Sequence, residues 1–255
     1  MKWARDLEGI LEKNQLDPGM ASKFAGRLNF ASCVACDKHG RAYITPFYAQ
    51  ANDPLPGHRL SVRMRSAIGW WRGYLSLGKK SLYQVDRSQR EHVRLWTDAS
   101  GADRWLAGVL ETQGRWYWTN YKVPDELWDL FNERNDDQIG MQELLAIPLA
   151  YETFKGLMRG KLATIYIDNV GAMSCLIKGS SRASDINSSI GYIWKDLVIL
   201  GIGAHFTRVE SKANVSDGPT RSRFELLQRL AAERIEPVEP SWFMQLNAFP
   251  CSVDE

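Results

Sequence analysis

Apolar positions in the first ninety residues recur at helical spacing. Trp3, Leu7, Ile10 and Leu11 share one face, and Met20, Phe24, Leu28 and Ala31 share another behind Asp17-Pro18, a cap followed by proline at the first helical position. Gly40 is expected to end that second helix. After the turn-rich stretch of residues 52 to 57, Met64, Ile68, Trp71 and Leu75 advance by four, three and four, which predicts a third helix with one buried face.

From His92 the period shortens to that of a strand. Residues 92 to 97, 105 to 111 and 115 to 120 alternate and are rich in β-formers, with Gln113-Gly114 as the turn between the second and third. Residues 139 to 156 then predict a helix, 162 to 168 a buried strand, 170 to 178 and 185 to 200 two helices, and 204 to 209 a fifth strand. A last helix is expected from about Asn214 to Ala232, before an irregular tail marked by Pro237 and Pro240. Hairpin-linked strands followed by helix-alternating strands imply a mixed, five-stranded α/β sheet flanked by helices. Three regions are therefore expected: helical over 1–90, α/β over 91–228, and a helical end with an irregular tail over 229–255.

Composition narrows the class. The chain of 255 residues is 44% apolar and carries 10 Trp, 9 Tyr and 9 Phe, enough to form a core, so it is neither disordered nor collagen-like. No apolar run approaches the ~18 residues that span a bilayer, and the first fifteen residues alternate charge with apolar side chains unlike a secretory signal. The expectation is a protein of the cytoplasm or nucleus, not secreted and without a membrane partner. The net charge of +2 conceals an asymmetry: residues 1–90 hold 15 Lys and Arg against 7 Asp and Glu, and the remainder holds 17 against 23. A basic arm on an acidic body either suits a protein that handles a polyanion with metal chemistry or is an accident of composition, and by itself it decides nothing. Arg65, Arg72 and Lys79 are spaced by seven and share a helix face, either a solvated basic face or a phosphate contact.

Four carboxylates stand out by placement. Asp98 closes the first strand, Glu143 lies near the start of the next helix, Asp168 ends the fourth strand, and Asp217 lies where the last helix begins. If the first and fourth strands are neighbours, Asp98 and Asp168 leave the same sheet edge, where α/β sheets bind ligands. Like charges there need a cation. Oxygen ligands without His or Cys select Mg²⁺ or Mn²⁺, and paired ions of this kind hydrolyse phosphodiesters.

The runs Thr97-Asp98-Ala99-Ser100-Gly101, Gln142-Glu143-Leu144-Leu145-Ala146, Ile167-Asp168-Asn169 and Asn214-x-x-Asp217-x-x-Thr220-Arg221 occur in an order that resembles the ribonuclease H domain of retroelement reverse transcriptases. The likeness is greatest to elements of the DIRS type, which encode a tyrosine recombinase. It covers about residues 92 to 224. Upstream, residues 23 to 31 (KFAGRLNFA) resemble the segment joining polymerase palm to thumb and connection, and residues 66 to 75 (SAIGWWRGYL) the helix ahead of the nuclease.

The resemblance implies that Asp98, Glu143, Asp168 and Asp217 hold two Mg²⁺ ions, with Mn²⁺ as a substitute, and that the RNA strand of an RNA/DNA hybrid is cut. Its 2′-hydroxyl distinguishes the RNA strand from the DNA strand. Ser100 and Asn169 are either substrate-backbone contacts or turn residues, and Arg221 either steadies a phosphate or caps the acids. The loop Glu210-Ser211-Lys212-Ala213 lacks the His that cellular ribonucleases H carry before the last helix, so Lys212 or Glu210 is a candidate replacement. His205, inside the preceding strand, is expected to be packed. Asn135-Asp136-Asp137 lacks the hydrophobic flanks of a polymerase aspartate pair, so no DNA synthesis is expected from this chain, although a polymerase palm is a candidate partner. Cys33, Cys36 and His39 lack a fourth zinc ligand. The alternative function is a catalytically silent ribonuclease H-like scaffold that grips nucleic acid.

Overall fold

The computed structural model describes residues 2–35, 40–76, 90–101, 103–132, 139–181 and 183–243. Lys79, Cys36, His39, the stretch 135–137 and the last twelve residues lie outside them. The chain divides into two compact units, Met1–Val85 and Asp86–Glu255.

The first unit is helical: α1 (Lys2–Lys13), α2 (Pro18–Ala35), α3 (Thr45–Asn52) and α4 (Val62–Ser76). Asp17 caps α2 by accepting the Met20 amide at 3.1 Å. Phe24 and Leu28 enter the core with Leu7, Phe47, Met64, Ile68 and Trp71, whereas Met20 is exposed; Ala21 and Ala25 complete the buried stripe in its place. The eight-residue α3 is too short to declare itself by periodicity, yet it places Gln50 at a joint. There the buried Gln50 amide donates to the carbonyls of Leu16 (2.9 Å) and His58 (3.1 Å), satisfying backbone groups that no helix pairs. Gly40, in the left-handed region at φ +78°, lies so close to Trp71 that a Cβ would approach its ring to 2.5 Å. The Trp70-Trp71 pair serves packing: Trp71 is buried and donates to the Tyr43 carbonyl, and Trp70 stacks on both Tyr43 and Tyr74.

The second unit is a mixed α/β fold. Its strands are β1 (His92–Ser100), β2 (Trp105–Thr112), β3 (Arg115–Lys122), β4 (Leu162–Ile167), β5 (Gly203–Arg208) and β6 (Glu233–Arg234), in the order β5-β4-β1-β2-β3-β6. β1 to β3 form an antiparallel meander; β4 pairs parallel with both β1 and β5, and β6 parallel with β3. The sheet thus has six strands where five were expected. The extra one is two residues long, below what alternation can reveal, and comes from the segment read as a helical end.

Seven helices accompany the sheet among the described residues: α5 (Asp125–Asn132), α6 (Ile139–Thr153), α7 (Lys155–Met158), α8 (Val170–Lys178), α9 (Ser184–Leu200), α10 (Asp217–Thr220) and α11 (Glu225–Arg229). The expected helix over 214–232 is therefore two short pieces. Pro219 has no amide hydrogen to donate, and Ser222 adopts φ +55° while the amides of Arg221 and Arg223 both bond the Gly218 carbonyl, closing α10 after one turn. α6, α8 and α9 cover one sheet face, built from Val93, Leu95, Leu106, Leu110, Ile165 and Phe206; α10 and the segment after it cover part of the other, where Trp96, Val109 and Leu227 are buried.

The described part of the tail, residues 235–243, is anchored. One oxygen of Asp196 accepts from both Tyr151 Oη and Trp242 Nε1, each at 2.9 Å, and Trp242 stacks on Tyr192. α6 approaches β2 closely enough that a Cβ on Gly108 would meet the Ala150 Cβ at 2.6 Å. Gly108→Val is accordingly expected to destabilise the protein by about 1–3 kcal/mol, read as a lower Tm in calorimetry. An unchanged Tm would show that the α6–β2 spacing is not fixed by this contact.

Candidate metal centre

Pairing of β1 with β4 brings their carboxyl ends side by side, and α6 crosses β1 on one face. Asp98 lies within β1, two residues before its end, because the ladder with β2 continues through Asp98↔Ala107 to Ser100↔Trp105. Asp168 directly follows β4, and Glu143 sits on the second turn of α6. One carboxylate oxygen from each of Asp98, Glu143 and Asp168 lies within 4.8 Å of the others, a cluster that can hold a metal ion. Asp98 and Glu143 are buried and Asp168 half-buried.

Each acid is oriented by a different partner. Asp98 Oδ2 accepts from Thr220 Oγ1 at 2.6 Å and Oδ1 from Asn214 Nδ2 at 3.3 Å; Asn214 Nδ2 also donates to the Thr97 carbonyl at 3.0 Å. Ser211 Oγ donates to Asp168 Oδ2 at 2.9 Å. The Ala99 amide donates to Glu143, but Glu143 Oε2 is buried with no hydrogen-bond donor among the described residues. A buried carboxylate oxygen without a partner is costly, and here it belongs to the cluster. Asn214, Ser211 and Thr220 were not assigned these roles from sequence. The signal for two of them was present, since Asn214 and Thr220 are fixed positions of the motif around Asp217; Ser211 had none.

Burial raises the Asp98 carboxyl to about 6, opposed by the Thr220 hydrogen bond and reinforced by the charges of Asp168 and Asp217. Burial, followed by the charges of Asp98 and Asp168, pushes Glu143 up to about 9. Oxygen donors with no His or Cys among them suit a hard cation such as Mg²⁺ or Mn²⁺.

Asp217 lies outside the cluster. Its Oδ1 accepts from Arg221 Nε at 2.6 Å and its Oδ2 from Arg223 Nη2 at 2.5 Å, so Arg221 engages an acid rather than standing free. Ser100 and Asn169 behave as turn and cap residues: Ser100 exchanges hydrogen bonds with Asp103, and Asn169 accepts the Ala172 amide at 2.9 Å as the cap of α8. Lys212 is exposed in the short turn Ser211–Ala213. Arg65 and Arg72 are exposed on α4 in the first unit, Arg72 being paired with Glu8 at 3.4 Å. His205 is exposed, correcting the expectation that it is packed: its neighbour Phe206 takes the core-facing position of β5, and alternation turns His205 to the other face.

No known protein-family model matches this chain, and no curated protein matches it. Among the described residues no helix is long and apolar enough to cross a membrane.

The raised carboxyls set a stability profile. Both folded-state values lie above the roughly 4 of an unfolded carboxyl, so the folded chain binds more protons. The stability they contribute is full below about pH 4 and is lost as pH rises through 6 toward 9. In EDTA, Tm is expected to fall across that window, and Glu143→Gln to melt on the order of 5 °C higher than the parent at pH 9, as about 2 kcal/mol gives a unit of this size. Parallel pH profiles for parent and variant would remove Glu143 as the cause.

Proposed function

We propose that this chain is a ribonuclease H-type endonuclease that cuts the RNA strand of RNA/DNA hybrids, and that it forms the C-terminal part of a DIRS-type retroelement reverse transcriptase. One observation carries the reading: Asp98, Glu143 and Asp168, separated widely in sequence, converge within 4.8 Å at the carboxyl ends of adjacent parallel strands. Their order along the chain and the motifs around them support it further. The site of action is cytoplasmic or nuclear, and a polymerase palm is the partner that the first unit would meet.

Asp98, Glu143 and Asp168 would hold the first Mg²⁺, and Asp217 would join Asp98 in holding a second. When bound, such ions lower the pKa of an attacking water and offset charge on the leaving oxygen. The residues themselves supply position. Thr220 and Asn214 hold the two oxygens of Asp98, Ser211 holds Asp168, and the Ala99 amide turns Glu143 so that Oε2 remains available as a ligand. Binding of a divalent cation requires Asp98 and Glu143 to release any proton they carry, so affinity rises with pH. Lys212, exposed beside Ser211, would contact a backbone phosphate of the bound hybrid.

A second reading, the silent scaffold, is favoured by one observation: both oxygens of Asp217 are already engaged by arginines. The deciding experiment incubates the full chain with a labelled RNA/DNA hybrid in Mg²⁺, beside Asp98→Asn and a Ca²⁺ control. Cleavage of the RNA strand alone is expected, absent in Ca²⁺ and reduced roughly a thousandfold or more in the variant. Tight hybrid binding with no cut in Mg²⁺ or Mn²⁺ would establish the scaffold instead.

A further inference from the structure

Asp217 differs from the three clustered acids in what it meets. Among the described residues no Lys or Arg forms an ion pair with Asp98, Glu143 or Asp168, whereas Asp217 receives one guanidinium on each oxygen. The arrangement is built by the local turn. Arg221 stands four residues beyond Asp217, and Arg223 is brought back when its own amide bonds the Gly218 carbonyl at 2.9 Å. A Cβ on Gly218 would meet the Arg223 carbonyl oxygen at 2.6 Å, so this return depends on glycine. Each oxygen of the carboxylate thus already accepts one guanidinium hydrogen bond, and the two positive charges beside it oppose the approach of a cation.

We propose that Arg221 and Arg223 form a guanidinium latch on Asp217, withholding the fourth carboxylate from a second divalent cation until a phosphodiester draws the guanidiniums away. The inference rests on the nuclease reading. Both arginines are more than half exposed, and Asp217 is a quarter exposed. Ion pairs this open are weak and screened by salt, so they can be exchanged. The group best suited to take them is a phosphate, whose oxygens accept the planar fork of arginine in paired hydrogen bonds. Substrate binding and completion of the metal site thereby become one event. The Asp98–Glu143–Asp168 cluster fills first, and Asp217 is freed when nucleic acid arrives.

The test counts bound Mn²⁺ by the electron paramagnetic resonance of the free ion, using the full chain. The parent is expected to bind one ion that Asp98→Asn abolishes and a second, weaker one. Arg221→Gln with Arg223→Gln should tighten the second about tenfold without nucleic acid. In an Asp217→Asn background the same pair should change nothing, which separates release of Asp217 from a general loss of positive charge. A hybrid whose RNA strand carries 2′-fluoro groups in place of hydroxyls should tighten the second ion in the parent, and add nothing in the double variant.

No tightening in the double variant, or an equal gain in the Asp217→Asn background, overturns the latch while leaving the first site and the nuclease reading intact. Mn²⁺ binding unaffected by Asp98→Asn overturns the nuclease reading itself. A hybrid that leaves the second ion unmoved in the parent overturns the phosphodiester as the release. Circular dichroism of each variant guards against misfolding, and Arg221→Lys with Arg223→Lys, which keeps the charge but loses the fork, should restore part of the parent's weak second binding.

Discussion

Bringing three carboxylates within 4.8 Å, two of them buried, is the constraint around which the second unit is organised. Left as three charges in a poorly solvated place, they would repel and unfold the sheet edge. With no cation bound, protons would relieve part of this, because burial raises the Asp98 and Glu143 carboxyls. Oriented donors relieve another part: a threonine hydroxyl, an asparagine amide, a serine hydroxyl and one backbone amide. What stays unrelieved is Glu143 Oε2, and a cation is the partner whose chemistry suits it.

That requirement explains why the segment after β5 gives up helical regularity. A continuous helix over 214–232 would present its side chains at fixed steps of 100°. The observed chain instead bends after Asn214, whose Oδ1 accepts from Ser216, makes one turn, passes through a left-handed Ser222 and restarts at Glu225. This path lets Asn214 reach both the Thr97 carbonyl and Asp98 while Thr220 reaches the other oxygen of Asp98. It also leaves Phe224 and Leu227 to cover Trp118 and Trp96 on the sheet face opposite α6. The same short turn sets the two arginines on Asp217.

Much of the second unit was legible in sequence because its strands alternate cleanly and its longer helices carry clear stripes. Strands β1 to β5 and helices α8 and α9 came from that pattern within a few residues. Helices α3 and α5, each eight residues, and the two-residue β6 did not, since so short an element has no period to detect and is held by what packs on it. Met20 sits at the rim of its stripe, where the neighbouring element decides what is covered, and the neighbour is not written beside it. His205 was misjudged for a different reason: once Phe206 takes the core-facing position of β5, alternation turns His205 outward.

The sequence by itself determined the identity of the acids, their order, and the type of element each one sits on, because strand and helix periods and the short motifs are local properties. It could not determine which acids meet. That depended on β4 pairing with β1 in parallel, on α6 crossing at Glu143, and on a turn that carries Asp217 toward Arg221 and Arg223 instead of into the cluster. Distances between side chains remote in sequence are set by strand pairing and packing, and only the tertiary structure could separate three acids that share a site from a fourth held beside it.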